Sequence, residues 1–391
     1  MKKSILFICP RSPIPANLGS KIAMASIIDI YLKMGHEVSL LILDDKDKKG
    51  SASAQLSARF QLKNIYYFSL PNKWWAIFKA LLLNRSMVAE RFSSKAAKYC
   101  LDTVVNQYDV LHAYSFYTGS YIGKYTSGKK TLVDLSALET LIWKNKYEQA
   151  CGLKRFFYKN EYKKIMQREV GVVNKVSRAY TQSESEAEYL IAKNCDNVVY
   201  RPLYMDLTQF PFVNSAQEDY DNLLFLGDYK WMPNKEAIYY ILNKIFPALK
   251  EYNQNLTLTI LGRNAPADLI NLASSIAGVK FIGEVPDTEP YFQKAGYVLA
   301  PVLTGGGVRL KILESLARGK IVITNEIGSE GIVDKSVLLI AETPDEINKK
   351  MLFLNENKAV REELKKSARK YVADVHSMEK NVSLFEDIVS A

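Results

Sequence analysis

The chain has 391 residues, of which 48% are hydrophobic, and 52 Lys and Arg outnumber 42 Asp and Glu to give a net charge of +10. That is ordinary globular composition at a length expected of two domains, each of roughly 100–200 residues. With 19 Gly and 13 Pro a collagenous or low-complexity chain is excluded, and no apolar run approaches the roughly 20 residues that span a bilayer.

Residues 3–9 (KSILFIC) and 37–43 (EVSLLIL) are continuous apolar runs, as strands buried on both faces of a parallel sheet require. The apolar run 5–9 follows two lysines but is shorter than the roughly 7–15 residues of a signal peptide, and Pro10 follows it at once. Apolar residues at helical spacing over 20–34, with Gly35 as the stop, complete a β-loop-α-β unit. Further strands are predicted at 64–68, 109–113, 130–135, 178–183 and 197–202. The second half repeats this grammar, with strands at 222–227, 256–262, 279–283, 297–302, 321–324 and 336–341. Helices are predicted at 234–252, 266–276, 288–295 and 308–318, and residues 344–391 read as helical throughout. Two successive α/β halves predict two doubly wound, Rossmann-like domains facing across a cleft. The expected division is 1–204, 205–372 and a terminal helix, 373–391, that crosses back to the first domain.

Charge is divided unevenly along this plan. Residues 1–205 hold 31 Lys and Arg against 17 Asp and Glu, a net +14, while 206–391 hold 21 against 25, a net −4. The basic half predicts an anionic partner: nucleic acid, an anionic membrane surface or a phosphorylated substrate. Cys9, Cys100, Cys151 and Cys195 are scattered, and His36, His112 and His376 are the only histidines. Structural thiols in a reducing cytoplasm are therefore expected, and no metal centre. Asp45 and Asp47 sit among lysines in DDKDKKG, which reads as a solvated turn.

The chemistry concentrates in 297–331, YVLAPVLTGGGVRLKILESLARGKIVITNEIGSEG. A buried strand runs into Gly305, Gly306 and Gly307, whose backbone amides can approach an anion closely, and a helix begins near Val308. Its dipole adds partial positive charge there. Arg309 and Lys311 add two full charges at the same end, where cations oppose the dipole, and an anionic ligand resolves that conflict. Glu314, about one turn on, suits the paired hydroxyls of a ribose, although a surface pairing with Arg318 at i,i+4 would also explain it.

This segment resembles the donor-binding signature of retaining glycosyltransferases of the GT-B fold, glycosyltransferase family 4 (group 1). GDYKWMPNKEAIYYILNKIFPAL, LTILGRNAP and VKFIGEVPDTEPYFQKAGYVLAPV match the family's order and spacing, and PRSPIPANLGSKIAMASIIDIYLKMGHEVSLL resembles its amino-terminal glycine loop, helix and strand. The resemblance covers 220–345 and 1–45 best. It implies a nucleoside diphosphate sugar as donor, with Gly19 approaching its phosphates and Glu314 holding its ribose. It also implies that the loop from Glu284 and Val285 to Pro286 meets the base, and that Thr304, Gly305, Gly306, Gly307 and Val308 cradle diphosphate and sugar. No cofactor or metal is implied. The family's Glu-x7-Glu is incomplete, because Gly306 stands where the first carboxylate belongs. Asp228 and Asn234 occupy places of its Arg and Lys diphosphate clamp. Arg309 and Lys311, helped by Lys230 or Lys235, are expected to replace that clamp, as in a GGGxRxK subset of the family.

On the acceptor side, His112 in DVLHAYS stands where the family often has histidine, with Tyr114 in place of a second one; a packed strand-end histidine is the competing reading. Asp134 ends a predicted strand and is an acceptor-side candidate or a helix N-cap. The stretch 72–92, NKWWAIFKALLLNRSMVAERF, reads either as a basic amphipathic helix lying in a membrane interface or as a domain helix with core aromatics. The sequence therefore predicts a cytoplasmic glycosyltransferase at the inner face of the membrane that extends a glycan or lipid-linked acceptor in cell-surface polysaccharide biosynthesis. A GT-B epimerase or phosphorylase is the enzymatic alternative. A nucleic-acid-binding protein is the alternative of another class, but no recognised module supports nucleic acid as the partner.

Overall fold

The structure is a computed structural model that describes all residues except 1, 17, 45–48, 214, 305–306 and 390–391, with only the backbone for 49–52, 215 and 387–389. The chain divides into two compact units, Met1–Tyr204 with Met378–Ala391, and Met205–Ser377. Asp45 and Asp47 lie outside the described residues.

The amino-terminal unit is a seven-stranded sheet of β1 (Ser4–Cys9), β2 (Glu37–Asp44), β3 (Ile65–Ser69), β4 (Val110–Tyr114), β5 (Lys130–Leu135), β6 (Arg178–Thr181) and β7 (Val198–Tyr200). Its order is β3-β2-β1-β4-β5-β6-β7, with every pairing parallel. Parallel strands need crossover helices, which cover both faces, and this is why β1 and β2 are apolar at consecutive positions rather than alternately. The terminal Met378–Val389 helix belongs to this unit. Asn381 accepts from Arg201 Nη1 at 2.9 Å, Tyr180 donates to the Leu384 carbonyl at 3.2 Å, and Phe385 packs among Tyr31, His112 and Tyr180.

The carboxy-terminal unit is a six-stranded sheet of β8 (Asp219–Asp228), β9 (Thr257–Arg263), β10 (Val279–Gly283), β11 (Ala295–Leu299), β12 (Ile321–Thr324) and β13 (Leu339–Ile340). The order β10-β9-β8-β11-β12-β13 is again all parallel. Two expected elements change. The single helix expected over 234–252 is Met232–Tyr240, a π-helical turn Ile241–Ile245 and Phe246–Tyr252. Pro247 has no N–H for the α-helical ladder, and the wider turn directly precedes it. The strand expected over 336–341 shrinks to Leu339–Ile340, because Asp334 accepts from the Ser336 amide and opens a 3-10 turn, Lys335–Val337. Buried Glu218 accepts from both Lys320 and Lys365, tying the Lys358–Val375 helix to the sheet.

Candidate functional site

All six strands of the carboxy-terminal sheet are parallel, so the loops after them collect along one edge. The chain winds outward from β8 through β9 to β10, then restarts at β11 and winds the other way. That reversal between β8 and β11 is the place where open α/β sheets bind ligands. The segments leaving it are 229–231 after β8 and 300–309 after β11.

The second segment is held by its neighbour after β12. Asn325 accepts from the Val302 amide and donates back to the Val302 carbonyl, both at 2.9 Å. Gly331, at φ +82°, lies where an added Cβ would meet a Val308 methyl at 2.6 Å. Thr304 donates to Glu236 on the Met232–Tyr240 helix. Gly305 and Gly306 lie outside the described residues, and Gly307 is buried with φ +83°.

The helix that follows is Leu310–Ala317, two residues shorter at its start than the spacing predicts. Arg309 is extended (φ −91°, ψ 103°) and is the N-cap residue, but no side chain caps the helix. The first-turn amides of Leu310 and Lys311 therefore have no intrahelical acceptor, which is the backbone half of an anion site. The Lys311 ammonium lies 4.5 Å above the Phe225 ring and makes no ion pair among the described residues. Burial, with Arg309 adding repulsion, pushes its pKa down to about 7. Glu314 is half-buried, and burial pushes its carboxyl up, opposed by the Arg318 charge. The expected Glu314–Arg318 ion pair does not form: Arg318 Nε donates to Glu289 at 2.9 Å instead, and only the Glu314 backbone carbonyl accepts from Arg318.

The remaining donor-side candidates lie on the same sheet edge. Glu284 and Val285 follow β10 directly, Glu284 exposed and Val285 half-buried. Lys230 is exposed in the turn after β8. Asp228 ends β8 and accepts from Arg263 Nε at 2.8 Å and from Asn264 at 2.9 Å. Burial pushes its carboxyl up, but these donors outweigh it and hold the group below the usual carboxylate range. Asn234 donates to the Asp228 carbonyl at 3.2 Å. Arg263, Glu236 and Asn325 were not singled out from the sequence, because each is recognisable only once strand order puts its loop beside the turn. Gly19 opens the Gly19–Lys33 helix of the amino-terminal unit, after Leu18, which provides no side-chain cap.

Asp134 is placed differently from the expectation that it rims the crevice or caps a helix, and that expectation is corrected; His112 takes the packed position that was its competing reading. His112 sits within β4, fully buried, with Phe7, Tyr31 and Phe385 around its ring and Tyr31 Oη 2.8 Å from its Nδ1. Burial, then the Arg201 charge, pushes its pKa well down, so the ring is neutral. Asp134 is equally buried and accepts from Arg201 Nε at 2.8 Å and from Nη2, so it is neither a rim residue nor an N-cap. Arg201, outside every segment that carries the resemblance, had no signal in the sequence.

Two parallel α/β units, the second with an anion-ready turn at its switch point, define the GT-B class of glycosyltransferase fold. Anabaena Alr3699/HepE, solved with UDP and glucose, has that fold in common with this chain: TM-score 0.68, 12% identity, all of both chains covered. A variant of S. aureus TarM, solved with Fondaparinux, alpha-GlcNAc-glycerol and UDP, gives TM-score 0.69 at 10% identity, again over all of both chains. Within this class, the carboxy-terminal unit carries the domain of the family described as glycosyl transferases group 1, whose model matches residues 220–357, and the chain is a glycosyltransferase. It is also similar to a Klebsiella pneumoniae protein named "Uncharacterized 44.6 kDa protein in cps region", 24% identical over 342 residues and covering 84% of each chain.

Proposed function

We propose that the chain transfers a sugar, with retention, from a UDP-sugar to a glycan or lipid-linked acceptor in cell-surface polysaccharide biosynthesis. The observation that carries this reading is the uncapped start of the Leu310–Ala317 helix at the β8/β11 reversal, with Arg309, Lys311 and Glu314 on it, inside the family-matched residues. In this reading the amides of Leu310 and Lys311, the two cations and the Thr304–Val308 turn receive the diphosphate. They stabilise the charge that develops as it leaves, which is electrostatic catalysis without a side-chain nucleophile. Glu314 accepts from the ribose, the backbone of Glu284 and Val285 meets the base, and Lys230 adds a peripheral charge. UDP is favoured as the carrier by the likeness to HepE with UDP and glucose, and polysaccharide synthesis by the likeness to the cps-region protein.

The acceptor side of the proposal includes an anionic membrane surface. No helix of the described residues is long and apolar enough to cross a membrane. The Lys73–Leu82 helix, however, exposes Trp74 (75%), Trp75 (60%), Phe78, Leu81 and Leu82 beside Lys73, the composition of a helix lying in a bilayer interface. Lys79 and Arg85 are not part of that contact, since both bond the buried Glu90.

Calorimetric titration across UDP, GDP and other nucleoside diphosphates, followed by donor hydrolysis with the tightest one, tests the donor assignment. UDP binding that weakens on Arg309→Ala and Glu314→Ala is the expected result; unchanged affinity in both variants removes the site. Vesicle flotation with and without phosphatidylglycerol, comparing wild type with Trp74→Ala/Trp75→Ala, tests the membrane. Equal flotation of the two proteins removes that part.

A further inference from the structure

A cavity of about 620 Å³ opens in the amino-terminal unit, far along the chain from every residue assigned to donor binding. Three helices wall it: Lys95–Val104, Ser115–Ile122 and Gly152–Val173. The second starts at the carboxyl end of β4 and runs back along the sheet, and the third ends just before β6 begins. The cavity, lined by 119–125 and 167–175 from their last turns, therefore lies toward the amino edge of the strands, opposite the edge where α/β sheets place their substrates.

Its charge is one-sided. Lys98, Lys124, Arg168 and Lys175 line it, and no carboxylate does. Lys124 pairs with Asp102 at 2.5 Å, while Lys98, Arg168 and Lys175 form no ion pair among the described residues. The carboxylate nearest in influence to Lys98 is Glu90, already bonded to Lys79 and Arg85 at 2.7 and 3.2 Å. Burial and the neighbouring Arg168 push the Lys98 ammonium down, so these cations repel one another. Lys124 and Lys175 follow helix carboxyl ends, where the dipole accounts for positive charge. It does not account for Lys98, in the first turn of its helix.

Gly171 is the second, independent sign. It lies in the last turn of the Gly152–Val173 helix, among the residues that line the cavity. No neighbour requires it: an added Cβ would meet nothing within 4 Å. The position is open because it faces the cavity.

We propose that this cavity is a second binding site, for a phosphorylated small molecule. Three cations with no ion pair among the described residues, one of them over the Tyr121 ring, match a group carrying about two negative charges, and the Arg168 guanidinium offers the forked donors that suit phosphate oxygens. The volume falls within the roughly 300–1,000 Å³ of small-molecule sites and exceeds what a bare phosphate needs. Leu101 and Val172 give the same lining an apolar side for the organic part of the ligand. A free sugar phosphate and a lipid headgroup present the same chemistry.

Glucose 1-phosphate is titrated into full-length protein by calorimetry, with UDP saturating so that the donor site is occupied. In parallel, the UDP-saturated protein is floated with phosphatidylglycerol vesicles. Saturable binding of either probe, weakened at least tenfold in Arg168→Gln/Lys175→Gln and in Gly171→Met, is the expected result, with UDP affinity unchanged. Gly171→Met also improves helix propensity, so lost binding in a variant at least as heat-stable as wild type cannot be misfolding. The first probe assigns a soluble ligand and the second a headgroup. If neither binds saturably, or if the variants bind as well as wild type, the site does not exist. Because UDP affinity is read separately, failure here is distinguishable from failure of the donor assignment.

Discussion

The two units each hold a charged group that they treat in opposite ways. In the amino-terminal unit, Asp134 at the end of β5 turns inward and meets Arg201, whose guanidinium also donates to Asn381, and the whole set is sealed from solvent. In the carboxy-terminal unit, Lys311 stands at the head of a helix with only an aromatic face for company, and Glu314 makes no ion pair among the described residues. Partnered charges hold a structure together; charges that the fold leaves without a partner at a switch point are kept for a ligand. The largest expected effect breaks the first half of that contrast. Asp134→Ala leaves Arg201 buried and uncompensated and should cost about 3–5 kcal/mol of stability in denaturant unfolding, while folded protein keeps its UDP affinity. Near-native stability would mean that Arg201 needs no partner.

The second half breaks at Lys311, and Arg309 beside it is tested first. If Arg309 meets the diphosphate as proposed, Arg309→Ala should weaken UDP by about 1.5–3 kcal/mol, roughly ten- to a hundredfold, with a small change in melting temperature. Lys311 gives a sharper reading through pH. Its folded pKa, about 7, is below its unfolded value, so between pH 7 and about 10 the unfolded chain holds a proton that the folded chain has released. Stability therefore rises with pH across that window. Binding runs the other way, because a bound diphosphate restores the ammonium: UDP affinity should fall by up to tenfold per pH unit above about pH 7. Lys311→Met should flatten both slopes. A pH-independent UDP affinity in wild type would show that this ammonium does not meet the phosphates.

The same contrast explains what the sequence disclosed. The alternation of apolar runs and helical spacing made both sheets legible, since a strand buried on two faces has few other patterns open to it. The GGGVRLK turn was legible because glycines and cations at a helix start conflict with stability. Asp134 was misjudged, and His112 left between two readings, for the converse reason. A polar residue at a strand end looks alike whether it faces a crevice or an interior partner, and the partners here, Arg201, Asn381 and Tyr31, come from 67, 247 and 81 residues away. Arg263 was overlooked on the same ground, since only the β8–β9 register sets it beside Asp228.

The smallest effect is the most specific. Burial raises the Glu314 carboxyl, which is a cost to the free protein unless a ligand repays it with hydrogen bonds. A ribose hydroxyl does so: a bond to an ionised acceptor contributes about 1.5–3 kcal/mol, and one to a neutral amide about 0.5–1.5. Glu314→Gln keeps the shape and an acceptor, so UDP should weaken only by about 1 kcal/mol, roughly fivefold. The decisive comparison is with 2′-deoxy-UDP and 3′-deoxy-UDP. One of them should bind wild type more weakly than UDP does, and that penalty should shrink in Glu314→Gln, because the hydroxyl and the carboxylate are two ends of one bond. If both analogues lose the same affinity in wild type and variant, Glu314 holds something other than the ribose, and its lack of an ion pair one turn into the helix needs another explanation.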